Sequence, residues 1–119
     1  MIMGVLFIIA FSSAAYAANT IVIEGKIYKI TIVDADWSWE TTLPAAGVRL
    51  HSIQYTPAAT DEICVIEEGS DAGPHLFYVK CADVYDQRIK YFGDGLYRPY
   101  FDYSDSTGSA GGIITIILR

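Results

Sequence analysis

Asp61–Ala82 reads DEICVIEEGSDAGPHLFYVKCA, and its punctuation decides the fold class. Two β-forming runs, 61–66 and 75–82, flank Glu67-Glu68-Gly69-Ser70-Asp71-Ala72-Gly73-Pro74. Gly, Pro, Ser and Asp at that density mark a turn, because each supplies a backbone geometry or a local hydrogen bond that a straight strand does not use. The stretch therefore reads as a hairpin. Folding it about its middle brings Cys64 nearly opposite Cys81. The register stays open at this level, since a one-residue slip exchanges the two faces of a strand.

The same rhythm continues outward. Upstream, Val48–Thr56 is a strand closed by Pro57-Ala58-Ala59-Thr60, and Leu43-Pro44-Ala45-Ala46-Gly47 is a loop. Thr20–Glu24 is a short strand broken by Gly25. Lys26–Val33 (KIYKITIV) alternates, with Ile30 and Ile32 on one face and Lys29 and Thr31 on the other. Asp34-Ala35-Asp36 ends it, and Trp37-Ser38-Trp39-Glu40 sits at a strand start or corner. Downstream, Arg88–Phe92 is a strand and Gly93-Asp94-Gly95 a tight turn. Leu96–Tyr103 contains Pro99, which has no N–H to give and so suits a strand start or an edge. Ser104–Gly112 is a polar loop. Ile113–Leu118 (IITIIL) is apolar on both faces, the mark of a central or doubly covered strand. No helical period of useful length follows residue 17. Short strands with regular turns predict an all-β chain, an antiparallel β-sandwich or jelly roll of about seven to eight strands, forming one domain over 18–119.

Composition agrees. The chain has 119 residues, 52% hydrophobic and 18% charged, with nine tyrosines. That is enough for one core and too little for two. The net charge of −6 opposes phosphate backbones and argues against nucleic acid as a partner. Arg88, Lys90 and Arg98 read as a solvated strand face.

Residues 1–17, MIMGVLFIIAFSSAAYA, hold an apolar run at Met3–Phe11 and a small-x-small pattern at Ala15-Tyr16-Ala17. The run is shorter than the roughly 20 apolar residues of a stable membrane span. No Lys or Arg precedes it. Three readings follow: a signal cleaved before Ala18, a retained apolar arm or buried first strand, or a mis-assigned start codon. Export would make the chain periplasmic or extracellular and permit a Cys64–Cys81 disulfide. Otherwise the two cysteines are buried free thiols.

No catalytic constellation emerges. His51 and His75 stand apart, without a nucleophile or metal-ligand pattern around them. The acids lie mostly in turns, where Asp stabilises the backbone, although a glycosidase needs only two of them suitably spaced. Asp34-x-Asp36 and Glu67-Glu68…Asp71 carry calcium-type oxygen donors without the full EF-hand series. No metal, cofactor or enzymatic activity is expected. The aromatics Trp37, Trp39, Tyr97 and Tyr100 have two readings: core and rim of a small sandwich, or a platform for a glycan or protein partner.

From Ser52 onward the order of features runs Ile53-Gln54-Tyr55-Thr56-Pro57-Ala58-Ala59, Asp61, Ile63-Cys64-Val65-Ile66, Gly69-Ser70, Gly73-Pro74, Lys90-Tyr91-Phe92, Arg98-Pro99-Tyr100-Phe101-Asp102, then a Ser/Gly-rich loop and an apolar terminal strand. This resembles small β-sandwich proteins of tailed phages and prophages, of the capsid-decoration or virion-accessory type. The resemblance implies a self-associating or virion-bound structural protein, located in the virion or host cytoplasm. It carries no site residues with it. An exported carbohydrate- or protein-binding module is the alternative expectation.

Overall fold

The computed structural model describes residues 19–38 and 46–119. Nine strands are present among them: β1 (Thr20–Glu24), β2 (Ile27–Thr31), β3 (Trp37–Ser38), β4 (Leu50–Thr56), β5 (Glu62–Glu68), β6 (His75–Cys81), β7 (Arg88–Tyr91), β8 (Pro99–Phe101) and β9 (Ile113–Leu118). They form a five-stranded sheet of order β1-β2-β9-β4-β7 and a four-stranded sheet of order β3-β8-β5-β6, antiparallel throughout. From β2 onward the chain crosses from one sheet to the other at every connection except the β5–β6 hairpin. That winding, with orders β2-β9-β4-β7 and β3-β8-β5-β6, is a jelly roll, and β1 adds a fifth strand at one edge.

Alternation builds the core. Ile30 and Ile32, Ile53 and Tyr55, Ile114 and Ile116 point inward from the larger sheet; Cys64 and Ile66, Phe77 and Cys81, Phe101 and Trp37 point inward from the smaller. β9 is central, as its two apolar faces require. Ile114 and Ile116 are wholly buried on the inner face, while Ile113 and Ile117 are half-buried on the outer one.

The hairpin 61–82 forms as β5 and β6. Its register sets Glu62 opposite Cys81 and Cys64 opposite Val79, with a bulge after Ile66. The two cysteines therefore share a face but stand on a diagonal. Diagonal pairs have Cα atoms about 7–8 Å apart, which is beyond disulfide reach. Both are free and buried, so the tentative Cys64–Cys81 bridge is not formed. The strand expected over Leu96–Tyr103 contracts to Pro99–Phe101, with a lone bridge from Tyr97 to Val48. Pro99 stands at the strand start, where its missing N–H costs nothing to the ladder.

One buried polar pair anchors the loops. Glu62 is fully buried on the core side; Tyr55 donates its hydroxyl to Glu62 Oε1, and the Ala58 N–H donates to Oε2 at 2.9 Å. Burial, then the adjacent Glu62 carboxylate, pushes the Tyr55 hydroxyl far above its usual range, so it remains a donor. Gly112 passes directly over this tyrosine: a Cβ there would lie 2.1 Å from the Tyr55 oxygen.

Candidate functional site

Two surfaces differ from an ordinary solvated sheet. The first is the outer face of the five-stranded sheet. The registers align Val22, Lys29, Thr115, Gln54 and Ile89 across it in one row, and Glu24, Ile27, Ile117, Ser52 and Tyr91 in the next. Thr20, Thr31, Ile113 and Thr56 complete a third. Only Glu24 and Lys29 are charged on these three rows, and they are of opposite sign. Most of the central positions are half-buried. His51 stands edge-on to Tyr91 at 5.6 Å between ring centres, at one end of the face.

The second is the outer face of the smaller sheet. Glu67, on β5, pairs with Tyr100 on β8, and Asp102 follows at the strand end. The segment after β8 folds back over this face. Asp102 N–H donates to the Val65 carbonyl at 3.1 Å, Val65 N–H to Ser106 Oγ at 2.9 Å, and Ser106 Oγ to the Asp102 carbonyl at 2.7 Å. Loop 102–109 thus covers Val65 and Glu67, and Glu67 is only 4% exposed. Glu67, Asp102 and the exposed Asp105 each place a carboxylate oxygen within 4.8 Å of the others. Glu67 Oε1 is buried with no hydrogen-bond partner. Burial first, then the neighbouring Asp102, Asp105 and Asp71, push the Glu67 carboxyl up to about 7. Burial works against ionised Asp102 too, but hydrogen bonds from Ser104 Oγ (2.7 Å) and Asp105 N–H (3.3 Å) hold it below the usual carboxylate range. His75 Nε2 lies 3.6 Å from Glu67 Oε2 and stacks on Tyr78 at 5.2 Å.

The aromatic candidates fare differently. Trp37 is 4% exposed and packs in the core beside Phe101, so its ring offers no flat surface to a ligand. Tyr97 is part-buried against Phe92, with ring centres 5.2 Å apart. Tyr100 is half-buried, and its hydroxyl donates to Asp36 Oδ2 at 2.6 Å. Trp39 lies outside the described residues, as do residues 1–17. The structure therefore does not assemble Trp37, Tyr97 and Tyr100 into one platform.

The two calcium-type runs are also dispersed. Asp36 accepts from Tyr100 and from the Tyr103 N–H at 2.7 Å, and Glu68 accepts from Arg98. The sequence reading missed the grouping of Glu67 with Asp102 and Asp105, which joins positions distant in the chain. No local signal marked it, because Glu67 meets Asp102 only through the pairing of β5 with β8.

The fold and these surfaces define a small jelly-roll protein with one neutral face and one buried acidic cluster. Comparison with family models, curated proteins and solved structures finds no match to this chain. No helix among the described residues is long and apolar enough to cross a membrane.

Proposed function

We propose that this chain is a non-enzymatic jelly-roll protomer that assembles with a second copy of itself through the outer face of its larger sheet. One observation carries the reading: in a chain of net charge −6, the broadest regular face bears one acid and one base and is otherwise Thr, Ile, Val, Gln, Ser and Tyr. Two copies of an acidic protein repel each other everywhere except where the local charge cancels. A neutral face of that kind suits a two-fold contact, in which Lys29 of each copy can meet Glu24 of the other. Removing exposed Val22, Ile89 and Tyr91 from water, with half-buried Ile27, Ile113 and Ile117, supplies the driving force.

A virion surface, expected from the resemblance to phage accessory proteins, is the finer version of the same proposal. Jelly rolls recur in capsid and lectin domains, but a fold alone does not assign a function. The glycan-binding alternative has less support, since Trp37 is in the core and Tyr100 is tied to Asp36.

Sedimentation velocity of the full chain across a concentration series tests the reading. The expected result is reversible dimerisation that is lost in an Ile113→Glu, Ile117→Glu double variant with an unchanged circular dichroism spectrum. A wild-type chain that stays monomeric to about 1 mM, where contact free energies fall to roughly 4 kcal/mol, would overturn it.

A further inference from the structure

We infer that Glu67, Asp102 and Asp105 form a calcium site that clamps the loop after β8 onto β5. The cluster alone would be an ordinary group of surface acids. The second observation is Glu67 Oε1, which is buried without a hydrogen-bond partner. Glu67 and Asp102 approach closely enough to share a proton, but once both are ionised neither has a proton to give. A buried carboxylate in that position needs a proton or a cation.

The donors are all hard oxygens, the chemistry of calcium and magnesium and not of zinc. Oxygens on opposite sides of a calcium ion stand about 4.6–5.2 Å apart, so three atoms within 4.8 Å of one another fit around one ion. Magnesium demands near-ideal octahedral geometry and sheds its water reluctantly, so a part-buried set of three carboxylates suits the more adaptable calcium shell better. The frame is already fixed. The hydrogen bonds through Val65 and Ser106 hold Asp102 against β5, and Ser104 Oγ orients Asp102 Oδ1. Asp105 is exposed and gives the ion its route in from solvent. This inference is independent of the assembly face, which lies on the other sheet.

The experiment uses the full chain stripped with chelator and titrated with CaCl2 at pH 8, read by isothermal calorimetry and by thermal unfolding. Calcium should bind at one site, raise the melting temperature, and bind more tightly than MgCl2. Terbium should give luminescence sensitised by the nearby tyrosines. Asp105→Asn, at an exposed position that the fold does not need, should weaken calcium by at least about tenfold through the lost ligand charge. Glu67→Gln, of the same shape, should do the same while leaving the calcium-free melting temperature equal or higher. Asp34→Asn, outside the cluster, should change nothing. No calcium-dependent heat or melting shift up to about 10 mM, a range weaker than extracellular calcium modules, would overturn the inference and leave a proton-sharing pair. Binding that persists unchanged in both cluster variants would overturn it as well.

Discussion

The outer faces of the two sheets obey the same alternation and end as opposite surfaces. On the larger sheet, the residues between the core positions are Thr, Ile and Gln, half-buried and close to neutral. On the smaller sheet, the equivalent positions of β5 are Val65 and Glu67, and the chain doubles back to bury them. The core side of each strand is dictated by packing, so it is similar in both sheets. What faces away is dictated by nothing in the fold, and there the two sheets diverge. The neutral face is the proposed assembly surface, and the covered acidic face the proposed ion site.

Substitutions along β9 break this comparison most strongly. Ile116→Ala opens a cavity among wholly buried residues and should cost about 2–5 kcal/mol in denaturant unfolding. Its neighbour Ile117→Ala, on the open face, should cost about 1 kcal/mol or less and act instead on self-association. Equal losses at the two positions would mean that the outer face is packed as tightly as the inner.

Next in size is Gly112→Ala. The added methyl meets the Tyr55 ring and hydroxyl from 2.1 Å, and overpacking of this kind costs about 1–3 kcal/mol or more. Tyr55→Phe takes the donor from buried Glu62 and costs stability in the wild type, but in the Gly112→Ala chain it should cost less, because removing the clashing oxygen gives a partial recovery. No recovery would place the strain elsewhere.

The acidic face sharpens the comparison through pH. Unfolded, Glu67 titrates near about 4.3; folded, it is pushed up to about 7, chiefly by burial and then by Asp102. Asp102, Asp105, Asp71 and His75 are the titratable groups that face it. Between those two values the folded chain holds a proton that the unfolded chain has released. Stability from this group is therefore fully present below about 4.3 and is lost as pH rises through about 7. Asp102 works in the opposite sense and lower down, because its folded carboxyl is held below the usual range. Melting temperatures in chelator should fall between pH 5.5 and pH 8, and Glu67→Gln should remove most of that fall. A variant with the wild-type slope would assign the pH dependence to another group.

The smallest effect is expected at the cysteines. Burial first, then Cys81 and Glu62, push the Cys64 thiol up, and burial followed by Asp86 pushes the Cys81 thiol up. Neither should react with an aromatic disulfide reagent in the native chain, and both should react once it is unfolded. Two silent thiols after unfolding would mean that a bridge forms after all.

How much of this was legible from the sequence follows from range. The 61–82 hairpin and the IITIIL strand are local patterns, and both form where the sequence places them. Pro99 likewise sets the start of the strand expected at 96–103, for the local reason that it has no N–H to give the ladder. The jelly-roll winding was one of two architectures compatible with short strands, since strand order depends on distant pairings. Trp37 was ambiguous because a tryptophan in a short alternating run serves a core and a platform equally well; its position opposite Phe101 decides for the core. The Glu67–Asp102–Asp105 cluster was illegible for the same reason as strand order. It forms only when β5 pairs with β8, some thirty residues later, and nothing in either segment announces the other.

The assembly face is tested most directly by the isoleucine methyl spectrum of the full chain recorded over a range of concentrations. The account predicts concentration-dependent shifts at Ile27, Ile113 and Ile117, on the open face, with Ile30, Ile114 and Ile116 in the core unmoved. Shifts confined to residues around Asp105 and Tyr100, or no shifts at any concentration, would contradict it.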